Sequence, residues 1–109
     1  MEERLMLKGV VINKGITPAT DLAPSEILTE ENCVVILDEK NKKIYLWRGR
    51  SAGISDKFKA ARLAHQLNWK LFGGAALVIQ RKDVIKKQLN TYPKIDAEIS
   101  KSVIRSILG

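Results

Sequence analysis

Residues able to do chemistry come in small, poorly matched sets along this chain. Two acidic pairs, Glu30-Glu31 and Asp38-Glu39, offer adjacent carboxylates, the raw material of acid–base catalysis or cation binding. The first precedes an apolar run and the second falls in a charged turn, so both are expected as solvated charges. His65 is the one histidine and Cys33 the one cysteine. No second His or Cys lies near either, which leaves a zinc site without ligands, and no neighbouring carboxylate orients His65 as a base. Cys33 opens the run Cys33-Val34-Val35-Ile36-Leu37 and reads as a small buried apolar side chain. Gly73-Gly74 lacks the Lys-Ser/Thr of a phosphate loop, and Arg48-Gly49-Arg50-Ser51, with a single glycine, is a weak phosphate cradle. The chain is not expected to be an enzyme.

Charge is the stronger signal. The 109 residues carry a net charge of +7. Residues 1–40 hold four Lys/Arg and eight Asp/Glu, residues 41–80 eight and one, and residues 81–109 seven and three. Such a basic excess suits acidic partners: nucleic acid, anionic lipid or an acidic protein surface. It also serves as a solvated face that aids solubility. Lys42, Lys43, Arg48 and Arg50 are the candidate anionic-lipid residues, with Lys57 and Lys59 beside them. Nucleic acid is not expected, because Tyr45 and Trp47, the aromatics that could stack on bases, fall in a strand that buries them.

These groups need elements to position them. Leu5–Ile12 reads as a first strand, Thr17–Asp21 as a turn, and Ser25–Leu28 as a single helical turn. Cys33–Leu37, with three β-branched residues in an unbroken apolar run, predicts a central strand covered on both faces. Asp38–Lys43 turns into Ile44–Trp47, whose alternation puts Tyr45 and Trp47 on one face, Ile44 and Leu46 on the other. Ser55 is the expected N-cap of a helix running to about Trp69, with Asp56 facing the helix dipole, and Gly73-Gly74 ends it. Ala75–Ile79 reads as a strand and Asp83–Leu89 as a short helix. Ile99, Val103, Ile104, Ile107 and Leu108 mark a C-terminal amphipathic helix over residues 96–108. A chain of this length, 45% hydrophobic, accommodates one core and one domain over residues 1–109. No apolar run reaches the ~20 residues of a membrane span, and the acidic N-terminus lacks a signal-peptide core, so a cytoplasmic location is expected.

The long helix carries more apolar surface than docking requires. Ala60, Leu63, Ala64 and Leu67 form one stripe, suited to a sheet. Ile54, Phe58, Ala61, His65 and Trp69 form a second, read as adjoining the first. Two such stripes mean either burial under a neighbouring element, for which the C-terminal helix is the candidate, or an exposed strip awaiting a partner.

Ile44-Tyr45-Leu46-Trp47-Arg48-Gly49, a short turn, and Ser55-Asp56-Lys57-Phe58-Lys59-Ala60-Ala61-Arg62-Leu63-Ala64 together resemble the gelsolin-homology domain of gelsolin, villin and severin. Trp47 and Gly49 match its Trp-x-Gly, and Ala60 and Ala64 match the alanines of its long helix. Arg4–Gly9 is similar to the family's opening strand, Ala19-Thr20-Asp21 to its Ala-Thr-Glu turn, and Cys33–Asp38 to its central strand. The resemblance is strongest over residues 4–80. It implies an α+β fold: a mixed five-stranded sheet sandwiched between a long helix and a shorter one, here with an extra C-terminal helix.

The resemblance implies further that the long helix inserts into a cleft of actin or an actin homologue, through Phe58, Lys59, Arg62, His65, Gln66 and Trp69. Arg62 departs from the family, which often has an apolar residue there. The departures from the animal pattern point to an archaeal or protist relative. A single such helix implies monomer sequestration or end capping in preference to severing, in a cytoskeleton-associated cytoplasmic protein. Calcium is the family's usual cofactor. The corresponding positions are Glu31, Asn32 and Asp56, where a neutral amide and a shortened acid replace the family's Asp and Glu, so weak calcium binding or none is expected. Two other functions are compatible with the same sequence: a scaffold domain of the kind found in vesicle coats, and phosphoinositide binding through the basic face.

Overall fold

Cys33–Asp38 (β3) is the strand on which the molecule is built, and all six of its residues are buried. The structure, a computed structural model, describes residues 6–109. The expected start of the first strand at Leu5, and the Arg4-Leu5 part of the resemblance, lie outside the described residues. In chain order the other elements are β1 (Leu7–Ile12), β2 (Ile16–Pro18), α1 (Pro24–Ile27), β4 (Lys43–Arg48), α2 (Ile54–Phe72), β5 (Leu77–Ile79), α3 (Lys82–Leu89), β6 (Ala97–Glu98) and α4 (Lys101–Leu108).

The sheet runs β2-β1-β3-β4-β5, with β6 pairing β1. β3 lies antiparallel to β1, with Val10 opposite Val35, and antiparallel to β4, with Ile36 opposite Tyr45. The β3–β4 turn closes on Asp38, whose carboxylate accepts the Asn41 backbone N–H at 3.1 Å and its side-chain amide at 2.9 Å. β5 joins β4 in parallel, so the chain must cross over between them, and α2 is that crossover.

Side chains alternating along β3 and β4 feed two cores. Cys33, Val35, Leu37, Ile44 and Leu46 meet Ala60, Leu63, Ala64 and Leu67 of α2 and Ile104 and Ile107 of α4. Val34, Ile36, Tyr45 and Trp47 meet Ile27 of α1 and Ile85 and Leu89 of α3. The mixed sheet is thus covered by helices on both faces, as expected, with Tyr45/Trp47 and Ile44/Leu46 divided between them.

Several details differ from expectation. Ile16–Pro18, which takes in Thr17 and Pro18 of the expected turn, is an edge strand, a place where a proline's missing N–H costs little. The last helix begins at Lys101, not residue 96, because Ala97 and Glu98 pair with Lys8 and Gly9 and Ile99 enters the core. Gly53, not Ser55, caps α2. Only Ala61 of the second stripe of α2 adjoins the first, packing half-buried against the same core; the rest of that stripe does not. At about 100° per residue, Phe58, His65 and Trp69 point roughly opposite to Leu63, Ala64 and Leu67, and burial agrees: the inner residues are fully buried, while Ile54, Phe58 and Trp69 are 73%, 72% and 68% exposed.

Candidate partner-binding interface

The direction of α2 is set before its first turn. At the end of β4, Trp47 turns its ring into the core and donates Nε1–H to the Thr29 carbonyl at 2.8 Å. The next residues are zipped to the segment before β3. Gly49 N–H donates to the Asn32 carbonyl and Ser51 N–H to the Glu30 carbonyl, each at 2.8 Å. The Glu30 side chain accepts the Arg50 N–H at 2.8 Å and the Lys82 ammonium at 2.6 Å. Those two donors, Lys82 foremost, hold the Glu30 carboxyl below the usual glutamate range. Lys82 and Lys86 of α3 lie 5.2 and 5.4 Å from the Trp47 ring centroid, within cation–π reach. The turn that launches α2 is therefore fastened from both the pre-β3 loop and α3.

At the far end Gly73, in a left-handed conformation, closes the helix by donating to the Trp69 carbonyl. Asn68 clamps the exit, its side chain exchanging hydrogen bonds with Ala76 at 2.9 and 3.1 Å. The Trp69 ring lies across Gly74, where a Cβ would come within 2.9 Å of it. Its position is thus fixed by the turn while its outer surface stays in solvent.

All six expected partner-facing residues, Phe58, Lys59, Arg62, His65, Gln66 and Trp69, are exposed on α2. Ile54, Phe58 and Trp69 form an apolar ridge interrupted by His65; Lys59, Arg62 and Gln66 form the polar flank beside it. The C-terminal helix does not seal this face. It leaves an open groove lined by Ile54, Ser55, Phe58, Lys59, Arg62 and Leu108. Leu108 is the residue sequence reasoning missed. It packs half-buried against the core, as the apolar pattern of its helix implied, and the crossing of α4 on α2 also brings it to the groove edge.

The four candidate anionic-lipid residues do not form one patch. Lys42 and Lys43 stand at one end of β4 and Arg48 and Arg50 at the other, roughly 17 Å apart at the rise of an extended strand. Arg48 is engaged with Gln80 at 2.9 Å. Tyr45 and Trp47 are buried, so neither can stack on a base. Burial above all raises the Tyr45 phenol to about 12, and it donates to Gln88 at 3.0 Å. Cys33 is fully buried and its thiol is likewise pushed up by burial, as expected of an unreactive core residue.

The positions corresponding to the calcium ligands do not fit a calcium ion. Asp56 is buried and accepts the Lys14 backbone N–H at 3.0 Å, tying the β1–β2 turn to α2. Asn32 accepts from the Asn13 amide at 2.9 Å and donates to the Ile27 carbonyl at 3.0 Å. Glu31 is exposed. A hard cation wanting about six to eight oxygens would find those of Asn32 and Asp56 at work in the fold, with Glu31 the one exposed residue of the three. Among the described residues no three His, Cys, Asp or Glu side chains gather to hold a metal, and no helix is long and apolar enough to cross a membrane.

The arrangement of this sheet and its long helix matches a solved structure, that of Thorarchaeota ProGel in complex with rabbit actin. The match has a TM-score of 0.59 at 23% identity, covering 77% of this chain and 99% of ProGel. The fold is gelsolin-like. No protein-family model matches the sequence, and no curated protein does. Within the gelsolin-like fold the exposed ridge of α2 belongs to the long helix packed on the sheet, the element that the sequence resemblance singled out.

Proposed function

We propose that this chain is an actin-binding module that regulates actin assembly, with the outer face of α2 as its docking element. The observation that carries the proposal is the ridge of Ile54, Phe58 and Trp69, held in solvent on a helix whose opposite side is fully buried. Large exposed apolar side chains in a row are costly unless a partner covers them. The structural likeness to ProGel, which was solved with rabbit actin, supports actin as that partner. Phe58 and Trp69 are the anchors, each contributing about 1.5–3 kcal/mol if fully covered. Arg62 lays its stem beside them and, with Lys59, offers charge to an acidic rim. His65 supplies hydrogen bonds between the anchors and Gln66 supplies them from the flank.

A single helix of this kind engages one actin subunit, so the module acts by monomer sequestration or end capping. Binding requires no calcium, since Asn32 and Asp56 have other partners. The test is a native gel shift against several actins, including archaeal ones, with calcium and with chelator. A shift that is equal in both conditions and lost in Phe58→Asp and Arg62→Asp is expected. If both variants shift actin as well as the parent does, α2 is not the docking element; if no actin is shifted at all, the function is another one.

A further inference from the structure

Leu108 borders two grooves. One is the groove beside Phe58; the other continues from it along α4, where Ile16, Ile104 and Leu108 line an apolar floor and Lys59, Lys101 and Arg105 stand around it. This second groove has a volume of about 350 Å³; Gly109 completes its lining, which holds no Asp or Glu side chain. Its three cations come from two helices: Lys59 from α2, and Lys101 and Arg105 one turn apart on the same face of α4. None of them is ion-paired to a carboxylate among the described residues. Glu98, the acid nearest in the chain, lies in the narrow crevice that continues past Lys101 toward β6. The charge is one-signed more widely. Every other charged residue of α2 and α4 is basic except Asp56, which is buried against Lys14.

We infer that this groove is a second docking site, and that it takes an acidic stretch of the partner polypeptide with an apolar side chain between its carboxylates. The inference rests on the actin proposal and deepens it: Lys59 and Leu108 line both grooves, so a partner seated on Phe58 and Trp69 extends over α4 without a gap. An apolar floor with cations on its walls selects a chain bearing both kinds of group, because carboxylates reach the walls while the side chain between them fills the floor. A bilayer surface is a poorer match. It is broad and flat, whereas this groove is walled by two helices and its floor includes the buried Ile104.

The test compares the parent, Lys101→Glu/Arg105→Glu, and Phe58→Asp for actin affinity at low and physiological salt. The same proteins are applied to phosphatidylserine–phosphatidylcholine vesicles. Reversing two docking charges should weaken actin binding on the order of tenfold at low salt and flatten its salt dependence, while vesicle binding is unaffected. Unchanged affinity and salt dependence in the double variant, with binding lost in Phe58→Asp, would overturn the inference and leave α2 docking intact. Loss of vesicle binding with actin binding retained would make the groove a lipid surface and also overturn it. A parent that binds no actin removes both proposals. Should the double variant melt below the parent, Lys101→Gln/Arg105→Gln is judged by the same criteria.

Discussion

Gly49 is where a single hydrogen atom in place of a methyl group decides the course of the chain. A Cβ there would overlap the Glu30 carbonyl and stand 2.5 Å from that of Asn32, both of them backbone atoms that cannot swing away. Gly49→Ala is therefore expected to destabilise the protein by about 2–4 kcal/mol in urea denaturation, and to weaken actin binding beyond the fraction unfolded, because the turn launching α2 must shift. Glu30 contributes to the same junction through charge. Its folded-state carboxyl is held below the unfolded value, chiefly by Lys82, so its stabilisation is present above the unfolded value and fades as pH falls through the folded one. Thermal melts of Glu30→Gln should lie below the parent near neutral pH, with the gap closing in the acid range. The sequence marked Gly49 as part of a motif but could not show why a glycine is needed, since the obstructing carbonyls lie at residues 30 and 32.

At the scale of elements, the two faces of α2 should separate stability from the proposed binding. Leu63 is fully buried between helix and sheet, and Leu63→Ala is expected to cost about 2–5 kcal/mol. Trp69→Ala, on the opposite side, should change stability far less, losing only its contact with the Gly74 turn, yet reduce actin affinity at least tenfold. Circular-dichroism melts alongside binding titrations check the pair. Much of this helix was legible beforehand, because a fully buried face imposes its 3.6-residue period on the sequence. The relative phase of its two stripes was legible too, in the same arithmetic, and was misread as adjacency. What the sequence did not carry was its true cap: Ser55 has the right chemistry, but the pinned loop brings the chain into helical conformation from Ile54, after Gly53. β2 and β6 were invisible for a related reason. Strands of three and two residues owe their existence to an available edge of β1, not to any pattern of their own.

For the molecule as a whole, two cores share one sheet within a radius of gyration of 12.7 Å, close to the ~13 Å of a compact chain of about 100 residues. Its charges are sorted. The exposed surface of α2 and α4 is basic, while most carboxylates lie before β4 or beyond β5. That asymmetry, foreshadowed by the uneven Lys/Arg count, favours fast encounter with an acidic surface. Stopped-flow association with actin should slow several-fold between low and physiological salt, with dissociation changing less. The four basic residues expected to act together on lipid were a fair inference from their closeness in sequence. They are parted by the extended geometry of β4, which places the ends of a six-residue strand far from one another.

The two tryptophans occupy opposite environments: Trp47 is sealed in the core with its indole N–H satisfied, and Trp69 lies largely in water. The chain thus carries two internal fluorophores reporting different events. In the native state acrylamide should quench the red-shifted emission of Trp69 and spare Trp47, and Trp69→Phe should leave a blue, quencher-resistant spectrum that reddens only on unfolding. An actin filled with a non-fluorescent tryptophan analogue would then let docking be followed as a blue shift of Trp69 alone, without attaching a dye.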